Sequence, residues 1–160
     1  MAFNLTKAQE KRLVLLQKKN FEKLSFSANS ILDLIQFPES SVLLEKIKNI
    51  TRLKNGKEVQ GTAHLFEYLF DFAANQSEAC FLILPGLSPQ SEFIYTQYPA
   101  IKVEAKQLLP LLESIQDQLI QVDYLALVSE KFKHGVVLDV YAGNPEIHGT
   151  DKEICQVTTW

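Results

Sequence analysis

Val122-Asp123-Tyr124-Leu125-Ala126-Leu127-Val128 is followed by Lys133-His134-Gly135, then by Val136-Val137-Leu138-Asp139-Val140-Tyr141-Ala142, and finally by Ile154-Cys155-Gln156-Val157-Thr158-Thr159. The three longer runs are rich in β-branched and aromatic residues, and the first alternates. Lys133-His134-Gly135 carries turn chemistry, and Gly143-Asn144-Pro145 opens a loop before the last run. Three strands with short connections predict an antiparallel meander at the C-terminal end.

Upstream of the meander, Lys106 to Leu119 places Leu108, Leu111, Leu112, Ile115 and Leu119 at helical spacing. Pro110 requires that helix to start there or to bend. Cys80-Phe81-Leu82-Ile83-Leu84, closed by Pro85-Gly86, reads as an interior strand and a turn. Glu92 to Thr96 reads as a second strand, broken by Tyr98-Pro99.

The first 75 residues read as four helices. Thr6 with Gln9 forms a capping box ahead of an apolar stripe of Leu13, Val14, Leu16, Phe21 and Leu24. Ser27 caps a short second helix carrying Ile31, Leu32, Leu34 and Ile35, which Pro38 ends. Ser40 or Ser41 caps a third, with Leu43, Leu44, Ile47 and Ile50, stopping near Lys54-Asn55-Gly56. Thr62 begins a fourth, apolar around much of its circumference through Leu65, Phe66, Leu69, Phe70, Phe72 and Ala73. The expected class is α+β: an N-terminal helical layer packed on one face of a mainly antiparallel C-terminal sheet. Residues 1–160 form a single domain, with 1–75 mostly helical and 80–160 a sheet with one inserted helix.

A chain of 160 residues with 46% hydrophobic and 22% charged residues can bury a core without a metal or disulfide. Disordered and collagen-like classes are excluded. The net charge of −3 hides an asymmetry. Residues 1–57 hold eleven Lys/Arg against five Asp/Glu, a net of +6, while residues 58–160 hold five against fourteen, a net of −9. The second portion repels phosphate backbones and anionic lipid, and attracts a basic macromolecule. The apolar runs are too short to span a bilayer, and no apolar signal segment follows Met1. With only Cys80 and Cys155, read as buried thiols, a cytoplasmic protein is expected.

Reactive constellations are sparse. His64, Glu67 and Asp71 fall on one helical stripe, but a divalent cation needs a further partner and none can be assigned. The ordinary account is a solvated helix edge. Cys155 lies near His148 and Asp151, yet a nucleophile triad assembles in space, not along seven residues. Gly86-Leu87-Ser88-Pro89 lacks the backbone N–H after the serine that an oxyanion hole requires. The six glycines make no phosphate-cradling pattern. No catalytic residue, metal or cofactor is therefore assigned. Asp123, Asp139, Glu146, Asp151 and Glu153, with Tyr124, Tyr141 and Trp160, instead gather in or beside the predicted meander. Carboxylates around aromatic anchors suit Lys and Arg on a partner.

In its stretches His64–Asn75, Cys80–Gly86 and Val136 through Tyr141-Ala142-Gly143-Asn144-Pro145 to Cys155-Gln156-Val157-Thr158-Thr159-Trp160, the chain resembles the immunity proteins of bacterial polymorphic-toxin and contact-dependent growth inhibition systems. The resemblance is one of general style and carries no motif over. It implies a cytoplasmic protein that binds a cognate toxin domain, such as a nuclease with a basic cleft, and occludes its active site. It implies no enzymatic activity, nucleic acid, membrane or small-molecule cofactor. The partner-binding residues are then Asp123, Asp139, Tyr141, Glu146, Asp151, Glu153 and Trp160. The rival reading is a small enzyme or ligand-binding domain using a cleft between helices and sheet, or an adaptor subunit docking through the basic first helix.

Overall fold

A computed structural model describes residues 5–24, 31–60, 65–84, 98–119, 124–149 and 152–160. Among these, the element order is α1 (Lys7–Glu22), β1 (Ile31–Ile35), α2 (Glu39–Thr51), β2 (Lys57–Gln60), α3 (Leu65–Ala74), β3 (Cys80–Ile83), β4 (Ala100–Val103), α4 (Ala105–Leu119), β5 (Tyr124–Ser129), β6 (Gly135–Ala142), α5 (Pro145–His148) and β7 (Glu153–Thr159). The strands form one antiparallel sheet in the order β1-β4-β3-β5-β6-β7-β2. The α+β class, the predominantly helical N-terminal portion and the β5–β6–β7 meander are as the sequence predicts.

Residues alternate between two cores because a strand turns successive side chains to opposite faces. Cys80, Leu82 and Leu84, with Ile101, Val103, Leu125, Leu127, Val136 and Leu138, face Leu65, Leu69 and Ala73 of α3 and Leu108, Leu111, Leu112 and Ile115 of α4. Phe81, Ile83, Ala100, Ala126, Val128 and Val137 face Leu44 and Ile47 of α2. Helices therefore lie on both faces of the sheet, not on one as the sequence suggested. This explains why β3 and β5 are apolar at consecutive positions: both are buried along their whole length. Burying a leucine of this kind is worth roughly 1.5–3 kcal/mol, so α4, with four residues at 0–1% exposure, is a main source of cohesion. Pro110 sits inside α4 without ending it. It is exposed, so the carbonyl left unpaired one turn earlier can be hydrated.

Three strands depart from the sequence reading. Ile31–Ile35 is strand β1, not a short helix. Apolar residues at 31, 32, 34 and 35 fit either period, and pairing with β4 decides between them. Lys57–Gln60 and Ala100–Val103 read as connections, yet each becomes a strand by pairing, with β7 and with β3 and β1. α2 starts at Glu39 with Pro38 in the cap position, so Ser40 and Ser41 are buried inside the helix and do not cap it. The fixed φ of proline suits a helix start. The capping box of α1 is present as predicted, with the Gln9 N–H donating to Thr6 Oγ1 and the Thr6 N–H donating to Gln9 Oε1. Ser27, Thr62, Pro85-Gly86 and the run from Glu92 to Thr96 lie outside the described residues. No helix among the described residues is long and apolar enough to cross a membrane.

Candidate functional site

The α2-side core ends at β6 and contains no residue of β2 or β7. Register places four polar residues in one row: Tyr124, itself a buried member of that core, and beyond it Asp139, Gln156 and Glu58. Tyr124 pairs with Asp139, Asp139 with Gln156, and Gln156 with Glu58. Neighbouring strands are about 4.8 Å apart, so the backbones of Asp139 and Glu58 stand about 10 Å apart across β7. Tyr141, two residues beyond Asp139, shares the face.

The helix α5 brings a further group. Asn144 caps it, its side-chain oxygen accepting from the Glu146 N–H at 2.9 Å, and Pro145 follows at the first helical position. Gly149, at φ 68°, closes it in the left-handed region that glycine tolerates best. His148 then lies against Tyr141, with ring centroids 5.9 Å apart. Its Nδ1 accepts from the Asn144 N–H at 2.9 Å, which places the proton on Nε2. Nε2 is 3.7 Å from Glu58 Oε1, and Tyr141 Oη donates to the same oxygen at 3.1 Å. Burial, the bond to Glu58 and the nearby charges of Glu58 and Asp139 raise the Tyr141 hydroxyl's pKa and keep it a donor. With one histidine nitrogen accepting from the backbone and the other facing a carboxylate, His148 is placed to orient Glu58, not to act as a base.

Of the residues singled out in the sequence, Asp139 and Tyr141 fall in this cluster. Glu146 is exposed in the first turn of α5. Glu153 is exposed at the start of β7, with its side chain on the opposite face from Ile154. Trp160 lies at the other end of β6, opposite Gly135, and its Nε1 donates to the Phe132 carbonyl at 3.1 Å. Asp123 and Asp151 lie outside the described residues. Sequence reasoning missed Glu58 and Gln156 as members of the site and weighed His148 only beside Cys155, a pairing it set aside.

The fold bears out the reading of both cysteines as buried thiols. Cys155 is fully buried in the α3–α4 core, on the face opposite Tyr141 and Glu58, and burial pushes its pKa up to about 11. Burial likewise pushes Cys80 up to about 12. Both are free thiols. Glu67 and Asp71 are exposed on α3, and His64 lies outside the described residues. Among the described residues no group of three or more His, Cys, Asp or Glu could hold a metal ion. Three grooves among the described residues have volumes of about 590 Å³ between the end of α3 and the start of α4, about 350 Å³ between α3 and the Gly135 end of the sheet, and about 450 Å³ between α1 and the start of α2. None is lined by Glu58, Tyr141, His148 or either cysteine.

The raised thiols carry a stability consequence. A folded-state pKa above the ordinary 9.0 favours the protonated, folded form, so the contribution is complete below pH 9 and is lost as pH rises towards 11 or 12. The burial-raised hydroxyl of Tyr124 adds in the same direction. Urea unfolding should give a constant stability from pH 7 to pH 8.5 and a loss of about 4 kcal/mol by pH 11. The Cys80→Ala/Cys155→Ala double variant should flatten most of that fall, and an unchanged slope would remove the thiols as its cause.

Compared with protein-family models, with curated proteins and with solved structures, the chain matches none.

Proposed function

We propose that the chain is an immunity-type inhibitor, which binds a basic toxin domain in the cytoplasm and occludes its active site. The observation that carries this reading is the row Asp139–Gln156–Glu58, with Tyr141 beside it, beyond the core that α2 covers. Two carboxylates about 10 Å apart, held on strands, can engage two cationic side chains. The −9 charge of residues 58–160 supports the same reading, since it would steer a basic partner and raise the association rate. A nuclease with a cationic cleft is the toxin class that such a face complements.

The test is co-expression with the product of the adjacent upstream reading frame, followed by association kinetics on the purified pair. Growth should be restored and a stable complex recovered. Glu58→Lys with Asp139→Lys should slow association about tenfold at low salt and flatten its salt dependence, in a chain that circular dichroism shows to be folded. An unchanged association rate would move the interface off this face. No complex and no protection would overturn the immunity reading.

A further inference from the structure

We propose that the groove between α3 and the Gly135 end of the sheet is a receptor for one arginine side chain presented by another protein. This inference rests on the groove's own chemistry and not on the function proposed above. The groove lies at the Gly135 end of β6, roughly 13 Å along the strand from Asp139 of the polar row and roughly 20 Å from Tyr141.

Tyr68, Asp71 and Phe72 form one wall. Tyr68 and Phe72 are four residues apart on α3, and Asp71 is three from Tyr68, so two rings and a carboxylate share one helical stripe. Trp160 also lines the groove, and its indole, packed on the α2 side of the sheet over Gly135, is held from several directions. Nε1 donates to Phe132, the Trp160 backbone pairs with Gly135 in both directions, and the ring lies so close over Gly135 that no side chain fits beneath it. Tyr68 and Phe72 pack against the α3–α4 core, while Asp71 is exposed. The result is a wall of fixed aromatic rings with a carboxylate at its margin.

That combination selects a particular cation. A guanidinium stacks on aromatic faces and pairs with a carboxylate through a planar fork, and it sheds water more readily than an ammonium. A divalent metal would need more than the single carboxylate. The same end of the fold already uses this attraction internally, with Lys46 Nζ 4.1 Å from the centre of the Phe132 ring. A volume of about 350 Å³ accommodates a side chain and not a folded segment.

Trp160 is the sole tryptophan, so its fluorescence reports on this groove directly. The full chain would be titrated at pH 8 with N-acetyl-arginine methylamide and with its citrulline counterpart, a neutral isostere. The arginine probe should give a saturable change with a midpoint of about 1–10 mM, and the citrulline probe at least fivefold weaker binding. Asp71→Asn should weaken the arginine probe about fivefold at an unchanged thermal midpoint, and Phe72→Leu should do so without altering charge. Equal responses to the two probes, or no saturable response, would overturn the proposal. Free arginine binding tenfold more tightly than the peptide-like probe would also overturn it, by making the occupant an amino acid. Because the probes are small molecules, failure here leaves the toxin reading untouched, and failure of that reading leaves this one standing.

Discussion

Gln17→Met should lower the unfolding free energy by about 3 kcal/mol, a larger loss than any exposed substitution on α1 would cause. The buried positions of α1 are Gln17 and Asn20. Its leucines do not take that role: Leu15 is 60% and Leu16 41% exposed. Gln17, at 0% exposure, joins three segments. Its Oε1 accepts from the buried Phe37 N–H at 2.8 Å, and its Nε2 donates to Ser40 Oγ at 3.1 Å and to the Tyr98 carbonyl at 3.4 Å. One amide thus ties α1 to the start of α2 and to the approach to β4. Methionine matches the length of glutamine and fills its space, so the change removes the polar groups with little change in volume. The Phe37 N–H would then lose the acceptor that Gln17 supplies inside the protein, at a cost of roughly 1–3 kcal/mol for that group alone. For a chain of this size the thermal midpoint should fall by about 6–12 °C. Urea unfolding and amide exchange at Phe37 measure the two consequences, and an unmoved midpoint would show that the three bonds contribute nothing net.

Gly135→Ala should cost at least about 2 kcal/mol and displace the indole of Trp160. A methyl group at position 135 would overlap the six-membered ring of Trp160. The ring cannot simply slide away, because Nε1 is bonded to Phe132 and the backbones of Gly135 and Trp160 pair at 3.1 and 3.2 Å. The glycine is therefore required by close approach, not by its own backbone angles. Trp160 emission should shift to the red as the indole gains water, and urea unfolding should move to lower denaturant. In Gly135→Ala/Trp160→Leu, where the smaller side chain leaves room for the methyl group, the two losses should sum to less than their separate values. Full additivity would place the strain elsewhere.

Local physics was readable wherever a segment was long enough to state its own period. The capping box at Thr6, the apolar stripe of α4 and the β5–β6–β7 meander all follow from nearest-neighbour chemistry. Asp139 and Tyr141 were legible as alternate positions of one strand. The first helix was legible as a helix, but its burial was not. Its apolar stripe predicted a leucine-packed face, whereas the distant Phe37, Ser40 and Tyr98 select Gln17 for the interior.

The chain's own pattern determined a helical first portion, an antiparallel C-terminal meander and an anionic second portion, because periodicity, capping and charge are properties of neighbours along the chain. Tertiary structure decided the three short strands β1, β2 and β4, the covering of both sheet faces, and the meeting of Glu58 with Tyr141 and His148. Segments of four or five residues carry too few positions to state a period, so the hydrogen bonds they make to distant strands choose their conformation. Glu58 and Tyr141 are 83 residues apart, and only the order β6-β7-β2 brings the carboxylate to the phenol.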